Sequence, residues 1–248
     1  MNKYIHLRQV VAYYILICCM VVTLSLCKSS GMIFGIFSYF VVFSGIILIP
    51  SIKRELGYKD IYQTFLYYFP MYVWIVYIVI NYKLFYVENN LFVYITVIFA
   101  CVVLILLRYK DISKILNGSY SKVPIEKNKF VESIINFIFS ILSEEIYFTA
   151  ILISSFSELG LVRAVSISTI LFVLSHYLNR WAKTSFSFKD YLFILLLAVI
   201  KGIAFWYTKS LLICIIMHTL YNSSNLIVLF KKYKNKQDIN EISFFNDY

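Results

Sequence analysis

Charge is scarce in this chain. Of its 248 residues 15% are Asp, Glu, Lys or Arg, against about a quarter in a soluble globular domain, and no polar stretch is long enough to form a separate soluble domain. Glycine and proline number 7 and 3, giving little support for the broken mid-membrane helices of a transporter. There is no GxGxxG, Walker loop, HExxH pair or nucleophile elbow, so nucleotide binding and the familiar hydrolase signatures find no anchor here. The five cysteines, Cys18, Cys19, Cys27, Cys101 and Cys214, contain no C-x-x-C pair and lie in or at the ends of apolar runs. There a free Cys behaves as a small hydrophobe, and the five carry no information about redox compartment.

What is present is hydrophobic: 61% of the residues. About 20 apolar residues cross the ~30 Å of hydrocarbon in a bilayer. The runs therefore predict an all-α integral membrane protein with about eight spans, near 9–27, 31–50, 62–82, 91–107, 131–156, 161–178, 190–208 and 210–230. The first run follows Lys3 and Arg8 but has no small-x-small cleavage pattern, which predicts a retained helix rather than a signal peptide. The expected organisation is one membrane domain over 1–248. Spans one to four lie in 1–107, a cytoplasmic connection in 108–130, a four-helix core in 131–230 and a cytoplasmic tail in 231–248.

Orientation follows from the cations, which collect on the cytoplasmic side. With the N-terminus inside, all 23 Lys and Arg fall in inner segments except Lys28, Lys83, Arg163 and Lys209 outside and Lys201 within a span. This predicts both termini in the cytoplasm. The net charge of +10 is spread over every inner loop, so inner-leaflet lipid rather than nucleic acid is the expected polyanion. The 22 Tyr and 22 Phe read as lipid-facing and interfacial packing.

The polar residues that stand out inside the apolar runs lie in the second half. They are Glu144 and Glu145 in the fifth span, His176 in the sixth, Lys201 in the seventh, and His218 with Asn222 in the eighth. A carboxylate at mid-membrane costs about 3 kcal/mol even on lenient insertion scales, so each of these residues needs a reason. On an α-helix, Glu144 and Glu145 point about 100° apart and cannot share one role. His218 and Asn222 lie on one face, as do Phe172 and His176. Two histidines, a carboxylate and an amide can thus converge to activate water and stabilise an oxyanion. Taken singly, a His or Asn in a membrane helix is often interhelical glue, and a Glu can serve a proton or ion path.

Together, Glu144-Glu145-Ile146-Tyr147-Phe148-Thr149, Phe172-x-x-x-His176 and His218-x-x-x-Asn222 resemble the EExxxR, FxxxH and HxxxN/D motifs of the CAAX protease and bacteriocin-processing family, also called the Abi family. Phe148, the Tyr207-Thr208-Lys209-Ser210 turn and the apolar approach to His218 add to the resemblance, which covers about residues 130–230. It implies an intramembrane peptidase in which Glu144, with His176, activates water while His218 and Asn222 bind the oxyanion. Glu145, Thr149, Phe172 and Lys201 are expected as structural support. Family members are described both as metalloproteases and as metal-independent glutamate proteases. A divalent cofactor such as Zn2+ on Glu144, His176 and His218 therefore stays open beside no cofactor at all.

The implied substrate is a short or membrane-proximal peptide, in the prenylated-protein, peptide-maturation, bacteriocin-immunity or quorum-peptide settings of the family. The chain end Phe245-Asn246-Asp247-Tyr248 has no cysteine, so the chain is not expected to be prenylated itself. Low Ala and Gly with abundant Ile, Lys, Tyr, Phe and Asn points to an AT-rich genome and a bacterial plasma membrane.

The chain departs from the motif in one place. Thr149 stands where the family usually has Arg, and Ala150 where Gly is common. Thr cannot neutralise Glu145, and Lys201, at matching depth in the seventh span, is the expected replacement partner, with Arg163 second. The competing readings are an inactive relative acting as a membrane scaffold or immunity factor, and a transporter.

Overall fold

A computed structural model describes residues 15, 17, 31–56, 68–74, 91–178 and 186–246. The expected spans at 9–27 and 62–82 fall largely outside these residues, as do His6, Lys28, Lys83, Arg180 and Lys183. Among the described residues every regular element is helical: α1 (Gly31–Leu56), α2 (Leu91–Leu107), α3 (Tyr109–Asn117), α4 (Lys127–Ser155), α5 (Leu161–Leu178), α6 (Phe188–Thr208), α7 (Leu211–Tyr221) and α8 (Ser223–Asn246). By length and composition α4, α5 and α6 can each cross a membrane alone. The pairs α2 with α3 and α7 with α8 bend by 62° and 54°. Among the described residues three helices are therefore long and apolar enough to span, or up to five if each bent pair counts as one.

Local chemistry sets the ends of these helices. At the start of α6, Ser187 and Asp190 form a reciprocal capping box that satisfies two otherwise orphaned backbone donors. The helix stops at Lys209, which takes the left-handed conformation at φ 49°, a region a non-glycine residue seldom enters. The chain then reverses directly into α7. Between α4 and α5, Gly160 at φ 83° makes the turn, where a side chain would be strained. The α2–α3 break falls at Arg108 and the α7–α8 break at Asn222, neither beside a proline or glycine.

Lipid is as apolar as leucine, so helices in a membrane associate through small residues and interhelical hydrogen bonds. α5 follows that rule, burying Ala164, Ser168, Thr169 and Ser175. Ser168 Oγ donates to the Phe148 carbonyl of α4. Against this face lies Gly202 of α6, where an added Cβ would come within 2.9 Å of Val165 Cγ1 and 3.3 Å of Ile153 Cδ1. On the other side of α4, Ser38 of α1 bonds the Tyr147 hydroxyl at 3.1 Å, and Phe34 meets Trp74 edge-on. Helices α2, α5 and α7 all pack on α6. The tail helix α8 lies on α4 and on the α3 connection, with Phe130 stacked on Tyr233 and Ile125 N–H donating to the Lys232 carbonyl.

Candidate active site

The two glutamates stand where α4 changes its winding. Lys127–Glu144 is α-helical, Glu145–Ile151 is π-helical, and α-winding resumes at Leu152. The Leu152 N–H donates to Tyr147 O, five residues back. Such i→i+5 segments are rare and cluster at functional sites. Every residue of the π segment is buried, and the Phe148 carbonyl within it receives the Ser168 hydroxyl from α5.

Glu145, the first π residue, is fully buried and has both oxygens occupied. Oε2 accepts the Thr149 hydroxyl at 2.7 Å. Oε1 receives Lys201 Nζ from α6 and, at 2.5 Å, His218 Nδ1–H from α7. Lys201 is 2% exposed; its ammonium lies 3.3 Å from His218 Nδ1 and 4.9 Å from the Phe172 ring centroid, a cation–π distance. Three helices thus converge on one carboxylate, and the hydrogen-bonding side chains around it include one cation. A buried carboxylate persists only when it is paired and hydrogen-bonded in this way.

Glu144 has a different environment. Its Oε2 faces His218 Nε2 at 3.8 Å and His176 Nε2 at 3.9 Å, and its side chain keeps 17% exposure, with 21% for His176. Glu144 is thus partly exposed, whereas Glu145 is sealed. Both rings are oriented through Nδ1, that of His218 by Glu145 and that of His176 by the Phe172 carbonyl at 3.1 Å. Each Nε2 is thereby turned toward the same carboxylate oxygen, and Phe172 packs edge-on against both imidazoles. A separation of 3.8–3.9 Å is too wide for a direct hydrogen bond.

Asn222 stands apart from this group. It ends α7 at the bend, its backbone N–H donates to the His218 carbonyl, and its half-buried side chain makes no hydrogen bond among the described residues. Arg163, at the first turn of α5, is exposed and has no contact with Glu145.

In a tetrahedral zinc site, ligands 2.0–2.1 Å from the ion lie about 3.3 Å apart. Glu144 Oε2 stands farther than that from each Nε2, and no group of three His, Cys, Asp or Glu among the described residues closes into a metal-binding set. The arrangement does not fit a metal as it stands, and no step below passes through one.

Sequence reasoning missed the π segment, because a 3.6-residue period was assumed throughout, and it missed the role of Glu145 as a partner of His218.

The site is thus a partly exposed carboxylate beside two oriented histidines, set among helices long and apolar enough to cross a membrane. In the comparison with known families, residues 126–224 match the model described as type II CAAX prenyl endopeptidase Rce1-like. The match runs from the start of α4 to the start of α8 and shows a similarity of this segment to that CAAX protease family. No curated protein and no solved structure matches the chain.

Proposed function

We propose that the chain is an intramembrane endopeptidase with Glu144 as its general base. The observation that carries this reading is Glu144 Oε2 facing two Nε2 atoms at 3.8 and 3.9 Å. A water hydrogen-bonded to Glu144 alongside that pair of nitrogens has one base and two imidazoles within reach.

Two carboxylates and Lys201 leave one uncompensated negative charge, and one proton on the histidine pair makes the site neutral. Glu144 takes a proton from the water as its oxygen attacks the peptide carbonyl carbon. His218, protonated on both nitrogens, donates from Nε2 to the oxyanion while its Nδ1–H stays on Glu145. Asn222, whose amide is uncommitted, supplies a second donor once substrate fills the site. Each such donor is worth about 3–4 kcal/mol in the transition state. Protonated Glu144 then delivers its proton to the leaving amine. Glu145, Thr149, Phe172 and Lys201 hold the geometry, with Lys201 and Thr149 together doing for Glu145 what the motif arginine would do.

The substrate is a short or membrane-proximal peptide handled in peptide maturation, bacteriocin immunity or quorum-peptide processing, in a bacterial plasma membrane. Both termini face the cytoplasm, the spans of 1–107 and 131–230 form one membrane domain, and the connection at 108–130 and the tail from 231 lie on the inner side.

The test uses full-length protein in lipid and a library of short peptides, with products read by mass spectrometry. Wild type cleaves, with no loss after chelation and dialysis. Glu144→Gln and His176→Ala reduce cleavage by on the order of 10³-fold, a loss typical when a general base is removed, while the fold stays intact. Cleavage by Glu144→Gln at the wild-type rate sinks the glutamate mechanism; loss on chelation with recovery on adding zinc sinks its metal-free form.

A further inference from the structure

α6 and α7 form a hairpin that carries half of the site. Lys201 on one arm and His218 on the other are equidistant in sequence from the Lys209–Ser210 turn, about 12 Å along each arm at 1.5 Å per residue. Their side chains meet at 3.3 Å, so the spacing of the arms sets the spacing of the site. At the closed end the left-handed turn at Lys209 fixes that spacing covalently. The open end, where α6 begins at Phe188 and α7 stops at Tyr221, has no such link within the hairpin.

Arg108, from outside the family-matched segment, lies across that open end. Nη1 donates to the Tyr221 hydroxyl at 2.6 Å and Nη2 to Asp190 Oδ1 at 3.1 Å, so one planar guanidinium holds both arms. Its Cζ stands 5.0 Å from the Tyr221 ring centroid and 5.6 Å from that of Phe193. Asp190 is itself fixed, because Oδ2 accepts the Ser187 N–H at 2.9 Å and hydroxyl at 2.7 Å. Tyr221 is 5% exposed and three residues beyond His218 on the same helix face. It immediately precedes the 54° bend, and Arg108 sits in the 62° bend of the α2–α3 pair. Arg108 therefore joins the bends of the two broken helices.

We infer that Arg108 is a positioning residue, a strut that holds the open end of the α6–α7 hairpin at the spacing His218 needs against Lys201 and Glu145. The inference rests on the peptidase reading for its kinetic consequence, but the strut has a physical readout of its own. Lys is a poor substitute, because an ammonium lacks the planar fork that spans two partners and stacks on a ring.

Two buried thiols report on the arms. Cys214 of α7 contacts the Lys201 carbonyl of α6 at 3.6 Å, and Cys101 of α2 contacts the Met217 carbonyl of α7 at 3.5 Å. In full-length protein in lipid, Arg108→Gln, Tyr221→Phe and the double variant are treated with N-ethylmaleimide, and each cysteine is quantified by peptide mass spectrometry. Peptide cleavage is measured in parallel, normalised to folded protein.

The expected result is alkylation of Cys214 at least several-fold faster in Arg108→Gln. kcat is expected to fall on the order of 10-fold with KM little changed, because displacements of about 1 Å cost up to 10²-fold. The double variant should be no worse than the worse single variant, the non-additivity expected of groups acting as one unit. Unchanged Cys214 alkylation in Arg108→Gln overturns the strut, as does an additive loss in the double variant. If wild type cleaves no peptide, the peptidase reading fails and the Cys214 rate alone decides the strut, faster alkylation supporting it and an unchanged rate overturning it.

Discussion

At the scale of single residues, the site is governed by how Glu145 is kept charged without water. Thr149 contributes a hydroxyl from its own helix, His218 an N–H from α7, and Lys201 the neighbouring positive charge. Removing one member of a buried ion pair costs about 3–5 kcal/mol, because the other is left uncompensated. Lys201→Met is therefore expected to destabilise the protein by that amount and to lose activity, whereas Lys201→Met with Glu145→Gln costs less than Lys201→Met alone. Thermal unfolding in detergent compares the variants, and a Lys201→Met protein as stable as wild type would remove Lys201 from this role. Matching depth in two helices pointed from sequence to Lys201 beside Glu145. The additional hold of His218 on the same oxygen was not legible, since no one-dimensional spacing relates residues on different helices to one atom.

At the scale of elements, the helices were legible wherever a run was long and uniformly apolar. The expected limits 91–107 and 161–178 coincide with α2 and α5, and 190–208 differs from α6 by two residues at its start. The winding of α4 and the bends at Arg108 and Asn222 were not. Scarce glycine and proline argued against broken helices, yet both breaks occur without either residue, at positions where tertiary contacts take over from the helix. Close approach is another element-level property. Gly202 lets α6 lie against Val165 and Ile153, and Gly202→Ala should over-pack this contact at a cost of about 1–3 kcal/mol, even though Ala is the better helix former. Melting temperature reads this directly, and an unchanged or raised value would show that Val165 moves aside freely.

At the scale of the whole molecule, polarity sorts the chain relative to the membrane. Large side chains such as Phe40, Phe92, Phe99 and Ile170 are exposed, as a lipid-facing surface requires. The cations of 108–130 and of the tail gather where α8 lies on the α3 connection, with Lys236 paired to Glu126 and Lys189 to Asp111. The proposed topology predicts that epitope tags on both termini resist protease added to intact cells and are cut after permeabilisation. Cleavage of either tag in intact cells would sink the arrangement with both ends inside.

The sequence by itself determined that this is a helical membrane protein and which few polar residues need a reason to be there. Both follow from transfer free energy, which acts residue by residue: an apolar run enters hydrocarbon, and a carboxylate within it must be compensated. Motif spacing on single helices carried the family resemblance for the same reason, since i to i+4 neighbours are fixed by local geometry. Only the tertiary structure decided that Glu145 is sealed while Glu144 stays partly exposed, that both imidazoles turn Nε2 to one oxygen, and that Arg108 bonds both arms of the hairpin from outside the matched segment. Those depend on how α4, α5, α6 and α7 are placed against one another, and packing among helices is set by surfaces that no single segment contains.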